Sequence, residues 1–117
     1  MESYYDEMYD VHYLFFKKQK GMIEYINETY GVDFDGITSG GRMVSWWWNR
    51  ELYIAIYANS PAGVAHEAFH ASNVVAAVRG FEPSFKNDEP QAYLLDLIFS
   101  KYCEKVRPSW NKPVRGR

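Results

Sequence analysis

The run His66-Glu67-Ala68-Phe69-His70 places two imidazoles four residues apart, with a carboxylate directly after the first. On an α-helix, 3.6 residues make a turn, so the two histidines share one face, about 6 Å apart along the axis. Both can turn a ring nitrogen towards a single tetrahedral Zn²⁺. Glu67 falls about 100° round the helix from His66, beside any water on that metal. Zinc lowers the pKa of bound water towards neutrality, and a neighbouring carboxylate can take the proton. The chemistry implied is hydrolysis, with one zinc ion per chain, His66 and His70 as ligands and Glu67 as general base. The bland alternative is two surface histidines on an amphipathic helix. Against it, the motif uses two of the three histidines and follows a strand-like segment and helix-start residues.

A catalytic zinc needs a third protein ligand and leaves its fourth position to water. Glu89, 19 positions beyond His70, is the better candidate and Asp88 the rival. Asp88 has a competing use as helix cap, with Gln91 three residues on as in a capping box. At i+4 and i+7 from Glu89 come Tyr93 and Asp96. Tyr93 is the candidate donor to a developing oxyanion. Asp96 is a candidate acceptor for a ligand histidine's other nitrogen, and Asn73 a further neighbour of the histidine face. Read without function, Tyr93 is a packing aromatic and Asp96 a solvated charge.

These residues need a helix over about 61–79. Ser60 suits the N-cap, Pro61 the first helical position and Gly80 the stop. Val64, Ala68, Ala71, Val75 and Val78 make the apolar stripe that would bury it. A last helix starts near Asp88, where Pro90 is tolerated in the first turn, and ends near Lys105. Leu94, Leu95, Ile98, Phe99 and Tyr102 form its buried side. Between the two helices, residues 81–87 with Pro83 read as a loop.

Upstream, His12–Phe16 reads as a strand, and 17–30 as a helix on Met22, Ile23, Ile26 and Tyr30, stopped by Gly31. Residues 33–41, with Asp35-Gly36 and Gly40-Gly41, read as a loop. Arg42–Trp48 and Glu51–Tyr57 form a hairpin around Asn49-Arg50. By alternation Leu52, Ile54 and Ile56 share one face, and Tyr53, Ala55 and Tyr57 the other. Trp46 and Trp48 point to one side and Trp47 to the other, as packing groups. One hairpin strand is a candidate exposed edge for an extended peptide. The order is β-α-β-β-α-α, an α+β domain with a small antiparallel sheet packed on the histidine-bearing and C-terminal helices. It is expected to be a single domain over 1–117, with 1–10 and 107–117 as flexible ends.

Composition excludes several classes. The chain has 117 residues, 47% of them hydrophobic, enough for one domain with its own core. The net charge of −2 advertises neither nucleic acid nor membrane. Cys103 is the single cysteine, so neither an internal disulfide framework nor a cysteine-rich zinc cluster is available. It and His12 read as structural. No signal-peptide pattern and no run of ~18 apolar residues occurs, so a cytoplasmic protein is expected.

The segments Ala65–Ala71 and Asn87–Leu95, HExxHA followed by DEPxAYL, resemble small zinc-peptidase-like proteins encoded by bacteriophages. The resemblance covers roughly Ile54 to Ile98. It implies a minimal zincin fold of the gluzincin kind, Glu89 as third ligand, a viral origin and residence in the host cytoplasm. It departs from the thermolysin-like pattern at Tyr93, where an Asp is usual. Two functions follow as expectations. The first is a zinc metallopeptidase acting on a protein or peptide. The second is a non-catalytic, zinc-stabilised viral protein that grips a host bacterial factor.

Overall fold

The computed structural model describes residues 1–82, 84–86 and 88–111. Pro83, Asn87 and the basic tail over 112–117 lie outside the described residues. Four strands form one sheet in the order β1-β2-β4-β3: β1 (Glu2–Asp6), β2 (Val11–Phe16), β3 (Gly41–Trp48) and β4 (Glu51–Ala58). Helix α1 (Gln19–Tyr30) covers one face, and α2 (Pro61–Arg79) and α3 (Glu89–Val106) cover the other. A 3-10 turn, Pro108–Asn111, follows α3. The domain is α+β, and no helix among the described residues is long and apolar enough to cross a membrane.

The sheet is mixed, where an antiparallel one was expected. β1 pairs with β2 and β3 with β4 antiparallel, but β2 and β4 run parallel, with Val11 opposite Leu52 and Phe16 opposite Tyr57. The cause is topological. α1 carries the chain back along the sheet, and the loop over 32–40 returns it to the end where β2 finishes. β3 therefore runs in the opposite direction to β2, as the outer edge, and the tight turn at Asn49-Arg50 brings β4 back in the direction of β2, into the gap beside it. Both turn residues have positive φ, 53° and 66°, as a hairpin turn matched to strand twist requires.

The first ten residues are not a free end. Glu2–Asp6 is the other edge strand, its register running from Glu2 opposite Phe15 to Asp6 opposite Val11. Only Asp6 of its five residues is buried, so the strand lacks the apolar alternation that would announce it.

Alternation divides the core as expected. Tyr13, Phe15, Leu52, Ile54 and Ile56 pack against Val64, Ala68, Ala71 and Val75 of α2 and Leu94, Ile98 and Tyr102 of α3. Leu14, Phe16, Tyr53 and Ala55 pack against Met22, Ile23 and Ile26 of α1. Trp46 is buried between Tyr53 and Tyr30, with ring centroids 5.6 and 5.1 Å away. Trp47, on the opposite side, lies under the Arg79 guanidinium. Tyr102 locks α3 to the sheet. Its hydroxyl donates to Phe16 O at 2.7 Å and accepts from Ala58 N at 3.1 Å, joining the last residues of β2 and β4. Cys103 is fully buried beside it, and burial raises its thiol pKa.

Candidate metal centre and its cavity

α2 begins as its sequence requires. The Ser60 side chain accepts from Gly63 N at 3.0 Å, Pro61 opens the helix, and Gly80 ends it at φ 79°. The helix therefore starts within two residues of β4, and its first turns lie beside the beginning of edge strand β3. His66 and His70 point outward and Glu67 inward. The His66 side chain is 68% exposed and that of Glu67 only 10%.

The Nε2 atoms of His66 and His70 stand 3.1 Å apart. Two nitrogens bound to one tetrahedral zinc at about 2.0–2.1 Å are separated by about 3.3 Å, so the pair fits that ion. If both rings carry their proton on Nδ1, the two Nε2 lone pairs face each other, an arrangement a cation relieves. The nearer Glu67 oxygen is 3.9 Å from His66 Nε2.

Glu67 is buried because it fits under Gly41. A β-carbon on Gly41 would lie 3.2 Å from Glu67 Cγ and 3.0 Å from Tyr57 O, contacts tight enough that Glu67 or the strand would have to give by a few tenths of an ångström. Around the two residues a cavity of about 680 Å³ opens, walled by Thr38, Met43 and Asn59 and floored by His66 and Glu67. That volume suits a small ligand or a peptide segment. One wall is the loop over 32–40, which lacks regular structure but is fastened by side chains. Gln19, buried in α1, donates to Thr38 O at 2.7 Å and accepts from Thr38 N at 2.8 Å. Asn27 makes the same reciprocal pair with Phe34, and Arg42 holds the carbonyls of Asp35 and Gly36.

No family model, no curated protein and no solved structure matches this chain. The site therefore rests on its own geometry.

That geometry does not bring every expected residue together. Glu89 is exposed on the first turn of α3. It does not join the histidines. Among the described residues, the one His, Cys, Asp or Glu triad with donor atoms all within 4.8 Å of one another is Asp10, His12 and Glu51. Tyr93 is 45% exposed and does not line the cavity, and Asp96 is exposed on the same helix. Asp88 precedes α3 but makes no side-chain cap bond, because its backbone is helical (φ −100°, ψ −2°) rather than extended. Its expected capping partner, Gln91, turns to α2 instead. Gln91 Nε2 donates to Ser72 Oγ at 3.0 Å and Asn73 Oδ1 at 2.7 Å. Asn73 is thus tied to α3 rather than to a histidine.

Gly41 and Gln19 were not singled out from sequence. The Gly40-Gly41 pair announced a turn, but the close approach to Glu67 depends on α2 passing beneath β3, which no local pattern encodes.

Proposed function

We propose that the chain is a zinc-dependent hydrolase of peptide bonds, built as a minimal zincin-like domain. The observation that carries the reading is the His66–His70 pair, its nitrogens at the spacing of two zinc ligands, with the Glu67 carboxylate 3.9 Å from His66 Nε2 and both His66 and Glu67 lining the cavity. His66 and His70 would hold the ion, and Glu89 is the third ligand proposed from α3. Bound zinc supplies a polarised carbonyl and a water acidified towards neutrality. Glu67 then takes the proton from the attacking water and passes it to the leaving amine. Low exposure and the glycine above it restrict its carboxylate to the cavity side. β3, as an outer strand with one unpaired edge, is the surface along which an extended substrate would bind. Tyr93 lies outside the cavity, so its proposed oxyanion role would require movement of α3.

A second reading is a zinc-stabilised binding protein without turnover, acting on a partner inside a bacterial host. It is favoured by one observation, that among the described residues no third His, Cys, Asp or Glu donor lies within 4.8 Å of both histidine nitrogens.

Glu67→Gln separates the two readings. The amide keeps the shape and removes the base. A hydrolase should retain zinc and its melting temperature and lose nearly all cleavage of a casein or peptide-library substrate. A variant that keeps the full biological effect of the chain would overturn catalysis in favour of binding.

A further inference from the structure

We propose that Asp10, His12 and Glu51 form a second divalent-cation site, independent of the His66–His70 pair, for a first-row transition ion such as Mn²⁺ or Zn²⁺. The three residues come from the β1–β2 turn, from β2 and from the first position of β4, yet their donor atoms all lie within 4.8 Å of one another. The parallel register brings this about: His12 is directly opposite Tyr53, two residues after Glu51. His12 Nε2 and Glu51 Oε1 are 2.9 Å apart. Two ligands at right angles on an ion, with bonds of about 2.1 Å, stand about 3.0 Å apart. One imidazole and two carboxylates are a donor set that Mn²⁺ and Zn²⁺ both accept.

The donors are also oriented. The His12 ring lies between two aromatic rings, Tyr5 at 4.7 Å and Tyr53 at 4.5 Å between centroids, the latter stacked at 13°. This fixes the ring plane and directs Nε2 to the carboxylate side. The Tyr5 hydroxyl donates to Asp10 Oδ1 at 2.6 Å. Hydrogen bonds of this kind from outside the ligand shell orient metal-binding carboxylates. Arg79 is the competing cation. Its Nη2 is 3.9 Å from Asp10 Oδ2, but its hydrogen bonds, both 2.6 Å, go to the carbonyls of Tyr9 and Asp10. The site is open to solvent at Asp10, so an ion can enter and keep water ligands.

The two sites are well separated. Glu51 starts β4 on the α1 face, whereas His66 follows the far end of that strand on the other face. α2, which carries His66 and His70, packs on the opposite face of the sheet from Tyr53, on which the His12 ring stacks. An ion here would clamp the N-terminal hairpin to the centre of the sheet.

The test is a Mn²⁺ titration of the whole chain, following the imidazole NMR signals of its three histidines. Paramagnetic broadening of His12 should occur at low Mn²⁺, in the wild type and equally in the His66→Ala/His70→Ala variant. In Asp10→Asn and Glu51→Gln, each of which keeps side-chain size, the concentration needed should rise about tenfold or more. Zinc content should correspondingly fall by one ion per chain in Glu51→Gln. A His12 signal that resists millimolar Mn²⁺, or that broadens in both carboxylate variants at the same Mn²⁺ concentration as in the wild type, would show that His12 and Glu51 are an ion pair and nothing more.

Discussion

Gly41 and Glu67 approach closely across the gap between the edge strand and the histidine helix, so a methyl group at position 41 would press on the carboxylate side chain. A β-carbon at position 41 would meet Glu67 Oε2 at 3.3 Å and Cγ at 3.2 Å. Gly41→Ala should therefore displace the carboxylate while leaving the His66–His70 pair intact. Cleavage by the proposed hydrolase should fall by on the order of 10²-fold, the scale of a small misplacement of a reacting group. Zinc content should be unchanged. Peptide turnover and metal analysis on one preparation check this, and a fully active Gly41→Ala enzyme would show that Glu67 has room to adjust.

Chelation should lower the melting temperature. An ion that binds only the native state stabilises it by about 2.7 kcal/mol when present at 100 times its dissociation constant. The loss should be partial in His70→Ala, which removes one of the two proposed sites. Zinc binding should also weaken as pH falls, because protons compete for the imidazole nitrogens. Calorimetry with and without EDTA, at neutral and mildly acidic pH, measures both effects. Identical melting curves after confirmed metal removal would mean that the helices pack without help from any ion.

Two buried tyrosines should respond oppositely to loss of their hydroxyls. Tyr102 bonds both β2 and β4 through its oxygen. Tyr102→Phe leaves those strand ends short of a partner and should cost about 1–3 kcal/mol. The Tyr13 hydroxyl is buried with no hydrogen-bond partner among the described residues, so Tyr13→Phe should be neutral or stabilising. Burial raises both phenols above the ordinary tyrosine value. A raised folded pKa gives stability that is complete below the unfolded value and lost above it. The native state should therefore weaken once pH passes about 10. Urea midpoints of the two variants at pH 8 and pH 10.5 test the contrast, and a flatter alkaline decline is expected in both.

The sequence spoke clearly wherever a signal was local. The apolar stripe of α2, its Ser60 cap and Gly80 stop, the sides of β4 and the split of Trp46 from Trp47 all follow from spacing of a few residues. What was hidden depends on distant pairing. β1 buries one residue in five, so its position comes from pairing with β2 rather than from its own pattern. The parallel register of β2 and β4 links residues about 40 positions apart, and with it the meeting of His12 and Glu51. In the candidate metal centre, the histidine pair and the adjacent carboxylate were legible because one helix presents them. The position of Glu89 was not, because it depends on how α3 docks on α2.

That docking is the point on which the third ligand turns. In the structure Gln91 fixes the first turn of α3 to Ser72 and Asn73, and Glu89 stays outside the ligand sphere of the histidines. If Glu89 is the third ligand, zinc binding must draw this turn towards His70 at the expense of the Gln91 bonds. Three substitutions then have ordered effects. Glu89→Ala should weaken zinc by at least the ~10–100-fold that loss of an outer-shell partner costs. Gln91→Ala should strengthen it, because the turn no longer has to be released. Asp88→Ala should change affinity little and stability by less than the ~1 kcal/mol of a lost cap, since Asp88 makes no cap bond. Competition titrations against a chromogenic chelator rank the three variants. Equal zinc affinity in Glu89→Ala and the wild type would remove α3 from the centre and leave water or a partner's side chain to complete the metal.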